Sequence, residues 1–327
     1  MRFLVRRSAL LLAALFGMSV LIFLALRVLP GNVASVMAGL NATPDRIARL
    51  RQELGLNRSY PQQYLDWAGD IIHGNLGVSV LTGRDVGVQI LSRVQITFPL
   101  ILLGLLLSCL FGIPLGCASI LASHARVRHG LHLLALVGGA IPALWGAMLF
   151  ILLFSKGSGL INIFPSQGFP DNGWKQPGSA LVSLVLPALT VGIIVGSSIL
   201  RYTRSALQEM LASEFVDMGM ACGMTRVQAV LRIGLRVVTP QLVSVIGLTF
   251  AEMITGVMVI ENLFGLPGIG SMLVTDIGNR DLLTVQSELF VLAAFFLCIG
   301  FVVDVLHRIL DPRLKNAALL SSAGGVQ

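Results

Sequence analysis

Thr97-Phe-Pro-Leu-Ile-Leu-Leu-Gly-Leu-Leu-Leu-Ser-Cys-Leu-Phe-Gly-Ile-Pro-Leu-Gly-Cys-Ala-Ser-Ile-Leu-Ala-Ser123 contains no charged side chain. A helix needs about 20 largely apolar residues to cross the roughly 30 Å hydrocarbon core of a bilayer, and this stretch exceeds that length. It lacks the alternation of a membrane β-barrel strand. The same reading holds elsewhere. Ser8–Leu26 is free of charge, with Arg27 able to snorkel from its end, and Leu133–Ser155 and Gln176–Leu200 are uncharged. Val237–Ile260 is apolar except for Glu252, and Leu289–Val303 is uncharged but short, so it must borrow a turn at one or both ends. Six transmembrane helices follow, and the fold class is an all-α polytopic membrane protein.

Composition agrees. Of 327 residues, 55% are hydrophobic and 12% charged, about half the charge of an ordinary soluble domain. A mean hydropathy of +0.85 excludes a disordered chain, a secreted disulfide scaffold and a typical cytosolic enzyme. Of the four cysteines, Cys109, Cys117 and Cys298 lie in apolar runs; Cys222 does not, and none forms a C-x-x-C pair. That pattern gives neither a disulfide framework nor a metal knot. The first apolar run is longer than a signal-peptide core and no A-x-A site follows it, so it is expected to stay as an anchor.

The net charge of +7 is a matter of sidedness. With the N-terminus inside, Arg2, Arg6, Arg7, Arg126, Arg128, Arg201, Arg204, Arg226, Arg232, Arg236, Arg308, Arg313 and Lys315 fall on the cytoplasmic side, against Lys156, Lys175 and Arg280 in the two short outer loops. The seven arginines of 27–93 lie in a loop too long to vote. The expected orientation is N-in/C-in.

Two stretches between spans carry start and stop signals. Thr43-Pro44-Asp45 opens a helix with Ile47, Leu50 and Leu54 on one face and Gly55 as its stop. Pro61 opens a second, with Tyr64, Leu65, Ala68, Ile71 and Ile72 on its apolar side and Gly74 at its end; turns follow at Gly77 and at Thr82-Gly83. Together they predict a docked helical cap rather than a spacer on lipid headgroups. The second stretch is 201–240. Arg201–Cys222 is predicted to continue the fourth span, Gly223 to end it in the left-handed conformation, and Thr225-Arg-Val-Gln228 to form a capping box for a short helix reaching about Val238, with Pro240 at the entry to the fifth span. This rigid elbow could be gripped by a soluble partner. Its arginines are read as lipid-facing charge, not a DNA-binding motif, since both flanks are tied to spans.

Catalytic motifs are missing. No Lys precedes Ser or Thr, so there is no P-loop, and no H-E-x-x-H or G-x-S-x-G occurs. Gly265-Leu-Pro-Gly-Ile-Gly270 follows a span rather than a strand, which rules out a dinucleotide fold. No nucleophile–base pair at membrane depth supports an intramembrane protease. The chain reads as non-catalytic. Glu252 stands out, because an ionised acid at mid-span costs about 3 kcal/mol on insertion scales. It either lines a water-filled translocation path facing a cationic group or is satisfied by neighbouring backbone or a partner subunit. Glu261 and Asp304 lie nearer the interfaces and are read as structural.

Glu214-Phe-Val-Asp-Met-Gly-Met-Ala-Cys-Gly223 resembles the E-A-A-x-x-x-G signature of ABC importer permeases, with Asp217-Met218-Gly219 in place of E-A-A and Gly223 as the Gly. Arg6-Arg7, Leu29-Pro-Gly31, Leu54-Gly-Leu56, Gln63-Tyr64-Leu65, Gly74-Asn-Leu-Gly77, Gly112-Ile-Pro-Leu-Gly116, Val259-Ile-Glu-Asn-Leu-Phe264, Pro267-Gly-Ile-Gly270 and Leu310-Asp-Pro-Arg313 are similar to the peptide/nickel branch, in order over 1–315. The resemblance implies a type I importer permease of the bacterial inner membrane, of the dipeptide/oligopeptide permease B type. It implies a heteromeric complex with a second permease, two ATPases that bind the ATP and Mg, and an extracytoplasmic binding protein. Glu214, Asp217, Gly219, Ala221, Gly223, Thr225 and Gln228 would form the coupling helix docking on an ATPase. The organisation expected is 1–30 for the N-terminus and first helix, 31–96 for the cap, 97–315 for a five-helix core, and 316–327 for a cytoplasmic tail. Peptides are the expected cargo, with nickel or a metal chelate as the alternative; an ATPase-independent channel or exporter is the alternative of another class.

Overall fold

A computed structural model describes residues 2–28, 34, 43–53, 55–79, 81–157, 159–211 and 213–310. The expectations for Leu29-Pro-Gly31, for Leu54 and for everything beyond Leu310 lie outside the described residues. Among those described, the structure is helical. Extended pairing is confined to two isolated bridges, Val78 with Asp85 and Ser155 with Phe164.

Among the described residues, five helices are long and apolar enough to cross a membrane. They are α1 (Arg2–Val28), α4 (Val86–Leu121), α7 (Pro177–Leu211), α10 (Leu235–Leu263, continuous with the turns before it) and α12 (Leu282–Leu310). Between them lie α2 (Pro44–Glu53), α3 (Tyr60–Ile72), α5 (Ala125–Ala140), α6 (Ala143–Phe154), α8 (Glu214–Ala221), α9 (Arg226–Ala229) and α11 (Ile269–Gly278). The last span gains more than the expected turn at each end, running from Leu282 instead of Leu289 and to Leu310 instead of Val303.

The third span departs from expectation. Instead of one straight helix over Leu133–Ser155, α5 and α6 meet at a 111° bend, and only together would they supply a sixth span. The cause is Pro142, the N-cap of α6. Its ring pushes the preceding Ile141 out of the helical region, to φ −76° and ψ 121°. Gly138 and Gly139 just before it do little to hold the helix.

Two compact units make up the chain: 1–96 with 267–301, and 97–266 with 302–327. In the first, α3 docks on α1. Tyr64 packs edge-on to Phe23 with ring centroids 5.5 Å apart, and its hydroxyl is 2.9 Å from Ser19 Oγ. Trp67 lies 5.8 Å from Phe290 of α12. Arg27 does more than snorkel: its guanidinium sits 4.5 Å over the Phe23 ring and its Nε–H donates to Gln63 Oε1 at 3.2 Å. Leu65 and Ile72, expected on the packed face of α3, point outward instead. The aromatic pair Tyr64 and Trp67 covers more apolar area and sets the rotation of the helix.

In the second unit, glycines allow α4 and α7 to approach closely. A Cβ on Gly112 would lie 2.7 Å from Ile199 Cβ, one on Gly116 2.6 Å from Thr203 Cβ, and one on Gly192 2.7 Å from Leu107 Cβ. Small residues bring helix backbones together where lipid gives no hydrophobic drive for association. Buried Glu261 accepts a hydrogen bond from Thr97 Oγ1 at 2.5 Å, joining α10 to α4.

Candidate functional site

The elbow forms as expected in outline and differs in detail. The helix does not run unbroken from Arg201 to Cys222. α7 stops at Leu211, Ser213 is extended at φ −99° and ψ 153°, and α8 begins afresh at Glu214. The Ser213 hydroxyl donates to Met210 O at 2.5 Å, closing the end of α7. Glu214 and Asp217 then occupy the first turn of α8, where the helix dipole favours acids. Sequence periodicity missed this break because every residue across it is compatible with a helix.

Gly223 ends α8 with φ +87°, a conformation that costs any other residue about 1–2 kcal/mol. The amide of Met224 donates to Gly219 O at 3.2 Å to finish the turn. The capping box is present in both directions: Gln228 N donates to Thr225 Oγ1 at 3.3 Å, and Thr225 N to Gln228 Oε1 at 3.1 Å. α9 is only Arg226–Ala229. It passes through a π-helical turn, Val230–Gly234, directly into α10, and Pro240 lies inside α10 without ending it. The second arm of the elbow is thus the first part of a membrane-length helix, not a separate piece stopping near Val238.

The elbow has two faces. Its rear is built into a core: Val216 of α8, Ala229 and Val230 pack with Cys117 of α4, with Ala206, Leu207 and Met210 of α7 and with Val238 and Leu242 of α10. Gly219 is buried here, and a Cβ on it would lie 2.6 Å from Ile233 Cδ1. The front carries Phe215, Met218, Met220, Val227 and Leu231, all exposed. Ala221 and the acids Glu214 and Asp217 are also exposed. Exposed apolar side chains interspersed with acids, on a base packed into a core, can bind a soluble surface.

Glu252 does not belong to the elbow. It lines a cavity of about 260 Å³ bounded by Gly139 and Ala143 on either side of the α5–α6 bend, by Ile194 and Ser198 of α7, and by Gly256. Its carboxylate is exposed and makes no hydrogen bond or ion pair among the described residues. Neighbouring backbone therefore does not satisfy it within the second unit. The bend that opens this cavity had a signal in the sequence, the run Gly138-Gly-Ala-Ile-Pro142.

Sequence reading also passed over an acidic group in the first unit. Asp276 of α11, Asp281 at the start of α12 and fully buried Glu288 come together beside Arg93 of α4. Arg280 makes the turn between the two helices with φ +57°.

Residues 108–316 match the family described as binding-protein-dependent transport system inner membrane component, and residues 1–98 match its N-terminal region. The chain is 32% identical over 315 residues to a probable peptide ABC transporter permease, y4tP, of Sinorhizobium fredii, covering 96% of this chain and 99% of the relative. It is 32% identical over 331 residues to the di/tripeptide permease DppB of Pseudomonas aeruginosa, covering 96% and 98%. It is 29% identical over 336 residues to the dipeptide permease DppB of Escherichia coli, covering 97% and 99%.

Proposed function

The chain belongs to the binding-protein-dependent transport system inner membrane components, and on that premise we propose how this multi-pass permease subunit of a peptide ABC importer divides its work. Glu214–Gln228 is the coupling element. It docks in a cleft of a cytoplasmic ATPase through Phe215, Met218 and Met220, with Glu214 and Asp217 at the rim. Two such ATPases bind the ATP and Mg and supply the stroke. A second permease completes the path, and an extracytoplasmic binding protein delivers the cargo. The N-terminus and C-terminus face the cytoplasm, in keeping with the distribution of arginine.

The observation that carries this reading is the pairing of a capped, core-anchored rear face with an exposed apolar front on one elbow. A loose loop would absorb a push without passing it on. Here, movement of α8 bears directly on α7 and α10 through Val216, Gly219 and Ile233. Those two helices also wall the Glu252 cavity, so a shift at the elbow changes its width. Peptides are the cargo we propose, with Glu252 facing the amino group or a basic side chain.

The test is a cysteine at Met218 in the assembled, reconstituted transporter. Crosslinking to a nucleotide-hydrolysing subunit, with yield changing on nucleotide addition, supports the assignment. A Met218→Cys elbow that never crosslinks to such a subunit, in a complex that still takes up peptide, refutes it.

A further inference from the structure

Glu288 lies in the second turn of α12 with no exposed surface, and neither of its carboxylate oxygens meets a hydrogen-bond donor among the described residues. A buried carboxylate left ionised without a partner costs several kcal/mol. Such a group therefore holds a cation or a proton. The neighbours narrow the choice. Asp281 is already engaged, accepting from Ser79 Oγ at 2.6 Å and from the amide of Thr284 at 3.4 Å. Arg93 acts on the group through its charge, but its hydrogen bond goes to Gly268 O at 3.4 Å, and among the described residues it forms no ion pair with either acid. That leaves Asp276 of α11, half-buried, the acid whose charge bears most on Glu288.

Two carboxylates that face each other repel when both are ionised, whereas one proton between them turns repulsion into a strong hydrogen bond. A metal ion is a poorer occupant, since no group of three His, Cys, Asp or Glu side chains is arranged to hold one among the described residues. The other charges facing the pair are Asp281 from the α12 cap and Arg93 from α4. α3, packed on α12 through Trp67 and Phe290, contributes none.

We propose that Asp276 and Glu288 form a proton-binding site that ties α11 to α12, filled from water through Asp276 and released when the proton leaves. Burial and the nearby Asp281 push the Asp276 carboxyl above its ordinary range, against the opposing pull of the Glu288 bond and Arg93, in keeping with a retained proton.

The experiment is infrared difference spectroscopy across a pH titration of the full chain in its complex, in lipid nanodiscs, with and without added sodium or magnesium. The expected result is a buried protonated-carboxyl stretch at neutral pH that is lost in Glu288→Gln. It is also lost in Asp276→Asn, whose amide can donate to an ionised Glu288. The double variant, an uncharged pair of similar shape, keeps the complex assembled and abolishes the pH dependence of thermal unfolding. A band unchanged in Glu288→Gln overturns the site. So does a wild-type complex with no such band, or one whose unfolding temperature rises with sodium or magnesium in place of a proton.

Discussion

Gly219 of α8 sits so close to Ile233 in the π-turn that a Cβ on the glycine would lie 2.6 Å from Ile233 Cδ1. This is where the two arms of the elbow touch. The glycine stands in the signature at a place where the family pattern has alanine, and the fit around it leaves no room for a larger group.

Gly219→Val is therefore expected to push α8 off the π-turn, at a cost of about 1–3 kcal/mol. Peptide uptake should fall sharply while membrane insertion and complex assembly persist. Uptake together with ATPase stimulation by the loaded binding protein measures it; wild-type values for both would show that the arms need not touch.

Gly223→Val should act through the backbone, because φ +87° suits glycine alone. The expected outcome is futile or absent coupling in an inserted permease. Thr225→Ala removes one half of the capping box and should cost about 1 kcal/mol, while Thr225→Ser keeps the acceptor and should restore function. Normal stimulated ATPase in Gly223→Val would remove the mechanical role of the turn.

Glu252→Gln keeps the size of the side chain and removes its charge in the 260 Å³ cavity. Uptake of peptides with a free amino terminus or a basic side chain should drop several-fold relative to blocked, neutral peptides. Competition assays with a matched peptide series decide it, and an equal effect on all peptides would assign Glu252 to structure.

Gly116→Leu should separate α4 from α7, since even a Cβ there would lie 2.6 Å from Thr203 Cβ. A loss of about 1–3 kcal/mol is expected, read as a lower thermal unfolding temperature of the purified complex. The change should spread to the elbow core, because Cys117 on the next residue packs within it.

The raised position of Asp276 has a sign. A carboxyl that keeps its proton in the folded state contributes stability that is complete below its ordinary value of about 4 and is lost as the pH rises through the raised value. Thermal unfolding should therefore shift to lower temperature from acidic toward neutral pH, and Asp276→Asn should flatten that dependence.

Much of the scaffold was legible because its signals are local. Charge-free length marks a span, Thr225 and Gln228 are three residues apart and need only each other, and Gly223 announces its own turn. The break before Glu214 was hidden because Ala212-Ser213 is compatible with helix, and only the need to lay Val216 and Gly219 against α10 turns the chain there. The face of α3 was misjudged for a related reason. Several apolar side chains were available, and the aromatic contacts of Tyr64 and Trp67 with distant partners chose among them.

By itself the sequence determined which segments are apolar enough to leave water and where capping residues, glycines and Pro142 start, stop or break helices, since each of these depends on neighbours within one or two turns. Tertiary structure alone decided the walling of a cavity around Glu252 by α7 and the two arms of the α5–α6 bend, the anchoring of one elbow face with exposure of the other, and the placing of Asp276 near Glu288. The physical reason is that those features are contacts between residues distant along the chain, and burial and charge act through space.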